Sequence, residues 1–217
     1  TLNDGASITG DTSITGGILA LAGFTITTST FTSSTSAIRT ITGGGGAITI
    51  TGASWSVTSS TNWASSNYTI NMNSASSKSF AGAGAYYGTI NQGGAGALTI
   101  SGSNTFEAMT ATTKPSSVIF TAGTTQTITT SPTFFSGSAS ALITLTSTTP
   151  GSSYTISRSS GTIYSDYLNL TDSIATGGAT WYAGDNSVNT ARNAGWIFAG
   201  GAPAASAVGG QFLAFFA

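Results

Sequence analysis

The chain is almost devoid of charge. Its 217 residues include 5 Lys+Arg and 6 Asp+Glu, and neither His nor Cys occurs. Each absence excludes a kind of chemistry. Without Cys there are no disulfides and no thiolate metal sites, and the redox compartment stays open. Without His, the usual nucleophilic triad has no base. Five scattered cations cannot neutralise a phosphate track, so nucleic acid is excluded as a partner. The longest apolar stretch, residues 212–217, is far too short to span a bilayer. No charged and apolar leader opens the chain, and Thr1 in place of Met points to a processed or truncated product.

In place of charge stand runs of Thr, Ser, Gly and Ala, broken by short apolar words such as Ala47-Ile48-Thr49-Ile50 and Ala97-Leu98-Thr99-Ile100. Thr, Ile, Val, Tyr and Phe suit a pleated surface, and Tyr68-Thr69-Ile70-Asn71-Met72 alternates with period two. Gly runs at 43–46, 93–94 and 177–178 separate the words. No segment reads as an amphipathic helix. Ile50, Ile70 and Ile90, then Ile100 and Phe120, then Ile143, recur at steps of about 20–25 residues, the interval of a solenoid. Each coil is expected to place its Ile, Leu or Phe above the equivalent residue of the coil below. A β-sandwich also yields short strands with frequent turns and is the structural rival.

The chain divides into four parts on this reading. Residues 1–36 form a first coil or cap, with Ile8, Ile14, Ile18, Leu19, Leu21, Phe24 and Ile26 facing inward in alternation. Residues 37–178 form the regular β-helix stack. Residues 179–200, rich in Trp, Asn and Gly, form a C-terminal cap. Residues 201–217 form a Gly/Ala/Pro linker and an apolar docking tail.

An ordered series of phrases carries a resemblance. It runs from Ser76-Ser77-Lys78-Ser79-Phe80-Ala81-Gly82 with Tyr86-Tyr87, through Thr99-Ile100-Ser101-Gly102-Ser103-Asn104 and Phe120-Thr121-Ala122-Gly123-Thr124. It continues through Leu145-Thr146-Ser147-Thr148-Thr149-Pro150 and Asp166-Tyr167-Leu168 to Ala179-Thr180-Trp181-Tyr182-Ala183-Gly184 and Gly195-Trp196-Ile197-Phe198. Over roughly residues 35–198 the chain resembles a widespread group of right-handed β-helix proteins found in tailed-phage and environmental sequences. The resemblance implies an all-β, right-handed parallel β-helix with an aromatic C-terminal cap and an extended tail. It also implies a place in virion surface, fibre or adhesin-like polypeptides.

Candidate sites are few. Asp166 and Asp172 are the closest carboxylate pair. β-Helix glycosidases and lyases use clustered carboxylates at about 5–10 Å. Six residues along a strand separate the pair by roughly 20 Å, and Leu168 with Leu170 argues for a strand between them. A turn role is therefore preferred over catalysis or a Ca²⁺ site, and no catalytic, cofactor or metal residue is assigned. The Gly43 to Gly46 run lacks a following Lys-Ser/Thr and reads as a turn rather than a phosphate loop.

The words Thr25-Ile26-Thr27-Thr28 and Thr49-Ile50-Thr51 raise ice binding, in which outward Thr on a flat face orders water. That needs Thr-x-Thr at one fixed place in each coil. Along the sequence the words do not recur so, and Thr is read as the ordinary outward strand residue.

Trp181, Tyr182 and Trp196 bracket an Asn-rich loop. They read as a plug over the last coil, with a cell-surface glycan as the alternative contact. Phe212, Leu213, Phe215 and Phe216 would leave an exposed apolar patch on a monomer, and a flexible linker gives them reach. They are expected to dock a partner, by strand addition or in a groove on a neighbouring subunit. The expected protein is structural and non-enzymatic: a capsid decoration or fibre subunit on a phage virion surface. It would be homo-oligomeric, without a cofactor, and would meet other assembly subunits. A secreted bacterial adhesin or surface-layer module and a polysaccharide-active enzyme are the alternatives.

Overall fold

The computed structural model describes residues 5–200, apart from 8, 131 and 133. Among them there is no helix. Short strands, all paired in parallel, stack as a β-solenoid of about 8 turns. The chain visits three faces in turn. The first face is a six-stranded sheet running from Ala6–Ser7 through Thr25–Thr28, Ala47–Ile50, Thr69–Met72 and Thr89–Gln92 to Met109–Ala111. The second is an unbroken nine-stranded sheet from Thr12–Ser13 to Val188–Ala191. The third is a three-stranded sheet, Gly17–Ala20, Arg39–Thr42 and Trp63–Ser66, followed by a five-stranded sheet from Tyr86–Tyr87 to Ser173–Thr176.

One coil departs from this plan. The described residues of 129–142 fall where a first-face strand is due and carry none. Their buried Phe134 and Phe135 fill the interior instead. The face then resumes as a separate three-stranded sheet, Thr162–Tyr164, Thr180–Tyr182 and Trp196–Ile197. The sheets run across residues 36/37 and 178/179 without a break.

Period-two alternation puts every other side chain into a narrow core. On the first face the inward column is Ile26–Ile48–Ile70–Ile90–Met109, each directly over the last. On the second face it is Phe31–Trp55–Phe80–Ile100–Phe120. There Phe31 stacks on Trp55 with ring centroids 3.9 Å apart and planes 10° from parallel. Burying rings of this size is the main source of cohesion, at about 25 cal/mol per Å² of apolar area.

The ladders correct several details of the period reading. Ile50 pairs with Met72, and it is Ile48 that lies under Ile70 and Ile90. Ile143 pairs with Ser116, and Phe120 lies against Ser147. Coils differ in corner length, so a constant step drifts out of register. Ile18 and Phe24 face solvent, at 72% and 37% exposure, while Leu21 and Ile26 are buried. The run Ile18-Leu19-Ala20-Leu21 is apolar in both phases, so alternation alone could not choose the inward one.

Candidate functional site

Strand polarity and corner geometry decide where the chemical groups end up. The charged side chains among the described residues occupy two kinds of place. Asp11, Glu107, Lys114, Arg158, Asp166, Asp172, Asp185 and Arg192 lie outside the strands, at the corners. Arg39 and Lys78 lie in strands but point inward and are almost fully buried. No charged group stands on the outer surface of a sheet among the described residues.

The two interior cations are held by backbone oxygen. Lys78 Nζ donates to the carbonyls of Ser74, Gly94 and Gly96, and burial pushes its ammonium down to about 8. Arg39 donates from Nε to the Ala37 carbonyl, from one terminal nitrogen to Ser33 Oγ, and from the other to the Ser59 and Thr61 carbonyls. Its guanidinium carbon lies 5.6 Å from the centre of the Trp63 ring. These saturated donors are structural. Charge in a strand is normally read as solvent-facing, so nothing in the sequence signalled either one.

Asp166 and Asp172 flank the strand Leu168–Thr171, as the two leucines indicated. Asp166 closes a corner: its carboxylate accepts from the backbone N–H groups of Tyr167 and Asn186 and from the Asn186 amide. Asp172 sits at the next corner with φ +59°, beneath Arg192 with φ +54° one coil on. It pairs with Arg192 through both carboxylate oxygens and accepts from the Gly151 N–H. The Arg192 hydrogen bond holds the Asp172 carboxyl below the usual carboxylate range and raises the guanidinium in turn. The two acids thus serve different corners.

The Gly43 to Gly46 run is a turn, with φ +57° and +86° at Gly44 and Gly45. A Cβ on Gly43 would lie 1.8 Å from the Asn67 carbonyl oxygen of the next coil.

The aromatic trio is split. Trp181 points inward, is buried, and donates from its indole to the Thr176 carbonyl. Trp196 lies above it on the inner side and donates to Ser173 Oγ. Together with Phe134 they form an interior cluster, with ring centroids 5.4 to 5.8 Å apart. Tyr182 alone points outward. It stacks on Tyr164 of the coil below, centroids 5.1 Å apart, under Ile197. Tyr164 was not singled out from the sequence, although the one-coil offset from Tyr182 would have found it. The residues bracketed by the aromatics are in part a strand, Val188–Ala191, rather than a loop. Phe212, Leu213, Phe215 and Phe216 lie outside the described residues.

The outward positions form columns. On the first face, one runs Thr25–Ala47–Thr69–Thr89, and a second runs Thr27–Thr49–Asn71–Asn91–Thr110. The triplets Thr25-Ile26-Thr27, Ala47-Ile48-Thr49, Thr69-Ile70-Asn71 and Thr89-Ile90-Asn91 share one place per coil, but only the first is Thr-x-Thr, so that word does not recur at a fixed place, as the sequence indicated. Unequal corner lengths conceal the alignment along the chain. The second face carries Ser54–Ser79–Thr99–Ile119–Thr146 in the same manner.

Among the described residues no pocket opens and no group of three acidic side chains gathers as a metal site. Among the described residues no helix is long and apolar enough to cross a membrane. No protein-family model, curated protein or solved structure matches the chain. The fold falls in a class, the parallel β-solenoid, here with three faces, outer sheet surfaces free of charge among the described residues, and charged corners.

Proposed function

We propose that this chain is a structural, non-catalytic surface protein, a capsid decoration or fibre subunit of a phage virion. It presents a rigid β-solenoid, packs laterally as a homo-oligomer and beside other assembly subunits, and offers its outer columns to a cell surface. One observation carries this reading. The described charges lie at corners or inside, which leaves the sheet faces flat, hydroxyl-bearing and uncharged. Such faces approach one another without desolvating ions. The virion setting is supported by the resemblance of residues 35–198 to phage β-helix proteins, and docking is assigned to the apolar residues 212–216.

The test is to raise antibodies to the solenoid and image labelled phage particles whose genome encodes the chain by electron microscopy. Label on capsid or tail is the expected result, and deletion of residues 211–217 should remove the protein from the particle. Label confined to bacterial envelopes would assign the chain to a secreted adhesin instead. Turnover of an oligosaccharide that is lost in Asp166→Ala would overturn the non-catalytic reading.

A further inference from the structure

We infer that residues 211–217 of one copy add as a strand to the first coil of a second copy, so that chains join head to tail along the solenoid axis. The inference rests on the docking role proposed above for residues 212–216 and names its partner. The receiving site is the strand Gly17–Ala20, which pairs with Arg39–Thr42 on one side and lies at the edge of its sheet. Gly17 and Leu21 donate their N–H groups to the Ile38 and Thr42 carbonyls of the next coil. Alternate residues of a parallel strand bond to opposite sides, so Ile18 and Ala20 turn their N–H and C=O groups to the free edge. Among the described residues no strand meets them there.

This edge is apolar on both sides. Outside it, Ile18 and Ile38 are the most exposed large hydrophobic side chains among the described residues, at 72% and 70%. They stand diagonally on adjacent coils, roughly 8 Å apart from ordinary strand and residue spacings. Gly16 and Gly17 beside them carry no side chains, and a Cβ on Gly17 would meet nothing within 4 Å. Inside it, Ile14 and Leu19 are only half-buried, whereas Ile41, directly over Leu19, is fully buried. A strand that covers this edge must be apolar on both of its faces. Residues 211–217 meet that condition: as a strand they place Phe212, Ala214 and Phe216 on one face and Leu213 and Phe215 on the other. No other stretch of the sequence is apolar over six consecutive residues.

Distance favours a second copy over the chain's own first coil. Gly200 lies in the last coil, where its N–H donates to Asp185 Oδ1. About 8 turns separate it from Ile18, roughly 38 Å along the axis at about 4.8 Å per strand. Twelve residues lead from Gly200 to Phe212, and a Gly/Ala-rich stretch of that length spans about 20 Å on average. A second copy stacked on the last coil brings its own first coil within a few strand spacings of Gly200. Each added copy then presents a fresh tail at the far end. The contact is heterologous and does not close on itself, so repetition builds a fibre.

The test is sedimentation of the purified chain, at rising concentration and in defined mixtures. The parent is expected to form oligomers whose mass grows with concentration. Deletion of residues 211–217 removes the tail, and Ile18→Lys with Ile38→Lys blocks the edge. Each variant should sediment as a monomer of about 21.5 kDa. Mixed together, the two should form one-to-one pairs and nothing larger, because one supplies only an edge and the other only a tail. Ser79→Lys, at an exposed position on the second face, should associate like the parent. Circular dichroism melts check that all variants remain folded, and Phe212→Ser with Phe215→Ser replaces the deletion if that variant unfolds. A parent that stays monomeric at every concentration, or a mixture that forms no pair, would overturn the inference. If the deletion nonetheless keeps the protein out of phage particles, the docking role stands and its partner is a different subunit. Association undiminished by the deletion would refute both.

Discussion

At the scale of single residues, the interior cations set the sharpest expectations. Arg39 and Lys78 are surrounded by carbonyls and have no carboxylate partner among the described residues. Replacing Arg39 by Met would strand buried acceptors. The expected loss is about 3 kcal/mol in urea unfolding, the order found for broken buried ionic networks. Lys78 adds a pH dependence. Its ammonium is held at about 8 when folded and titrates near 10.5 when free. Between those values the unfolded chain binds more protons, so stability rises with pH across that window.

Tyr68, Tyr87 and Tyr154 act the other way. Burial raises their phenols above the ordinary 10.0, so above that pH the unfolded chain sheds protons first and stability falls. The urea midpoint should therefore climb from about pH 8, peak near 10, then drop, and Lys78→Met should flatten the climb. A midpoint that falls steadily from pH 7 would refute the assignment. Asp172 governs the acid side. Its carboxyl titrates lower in the folded state, so its contribution is present above the unfolded value and vanishes as pH falls through the folded one. Asp172→Asn should melt lower than the parent at pH 7, and the gap should close in strong acid.

At the scale of strands and corners, packing tolerances differ sharply between sites that look alike in sequence. A Cβ at Gly43 meets the backbone of the next coil at 1.8 Å, whereas a Cβ at Gly10 meets nothing within 4 Å. Gly43→Ala is expected to cost on the order of 3 kcal/mol, because two coils must part. Gly10→Ala should be neutral or stabilising by about 0.5 kcal/mol, through a less flexible unfolded chain. Trp55→Ala, in the middle of the Phe31–Trp55–Phe80 stack, should cost about 3–5 kcal/mol. Thermal melts of the three variants check the order.

The same local view explains what could be read from sequence alone. Strand character, turns and the approximate period followed from Thr/Ile alternation and Gly punctuation, so the solenoid was legible. Register was not, because it depends on corners whose lengths vary: the step from Ile48 to Ile70 is longer than that from Ile70 to Ile90. The Thr/Asn array was hidden for that reason. Trp181 and Tyr182 are neighbours in sequence, yet one is core and the other surface. The phase of that strand comes from its pairing with Ile163 and Tyr164.

At the scale of the molecule, stability is spread along the axis. Each coil contacts mainly its neighbours, so losses in one coil should propagate only to the adjacent ones. Asp172 and Arg192 form a tight ion pair, and charges elsewhere are so few that salt has little to screen. The melting temperature should change little between low and high sodium chloride, apart from the share carried by Asp172 and Arg192. A large shift would mean that exposed charge contributes more than its corner positions allow.

The buried cations have one more consequence. Successive coils of Thr, Ile and Gly are nearly interchangeable, and a growing stack of such coils could skip one or slide by two residues and still bury apolar surface. Arg39 fits only where the Ala37, Ser59 and Thr61 carbonyls converge, and Lys78 only where those of Ser74, Gly94 and Gly96 do. A slipped coil would leave an ion in hydrocarbon. The two side chains thus number the rungs of an otherwise repetitive ladder, and they make misthreading costly while the chain is still winding.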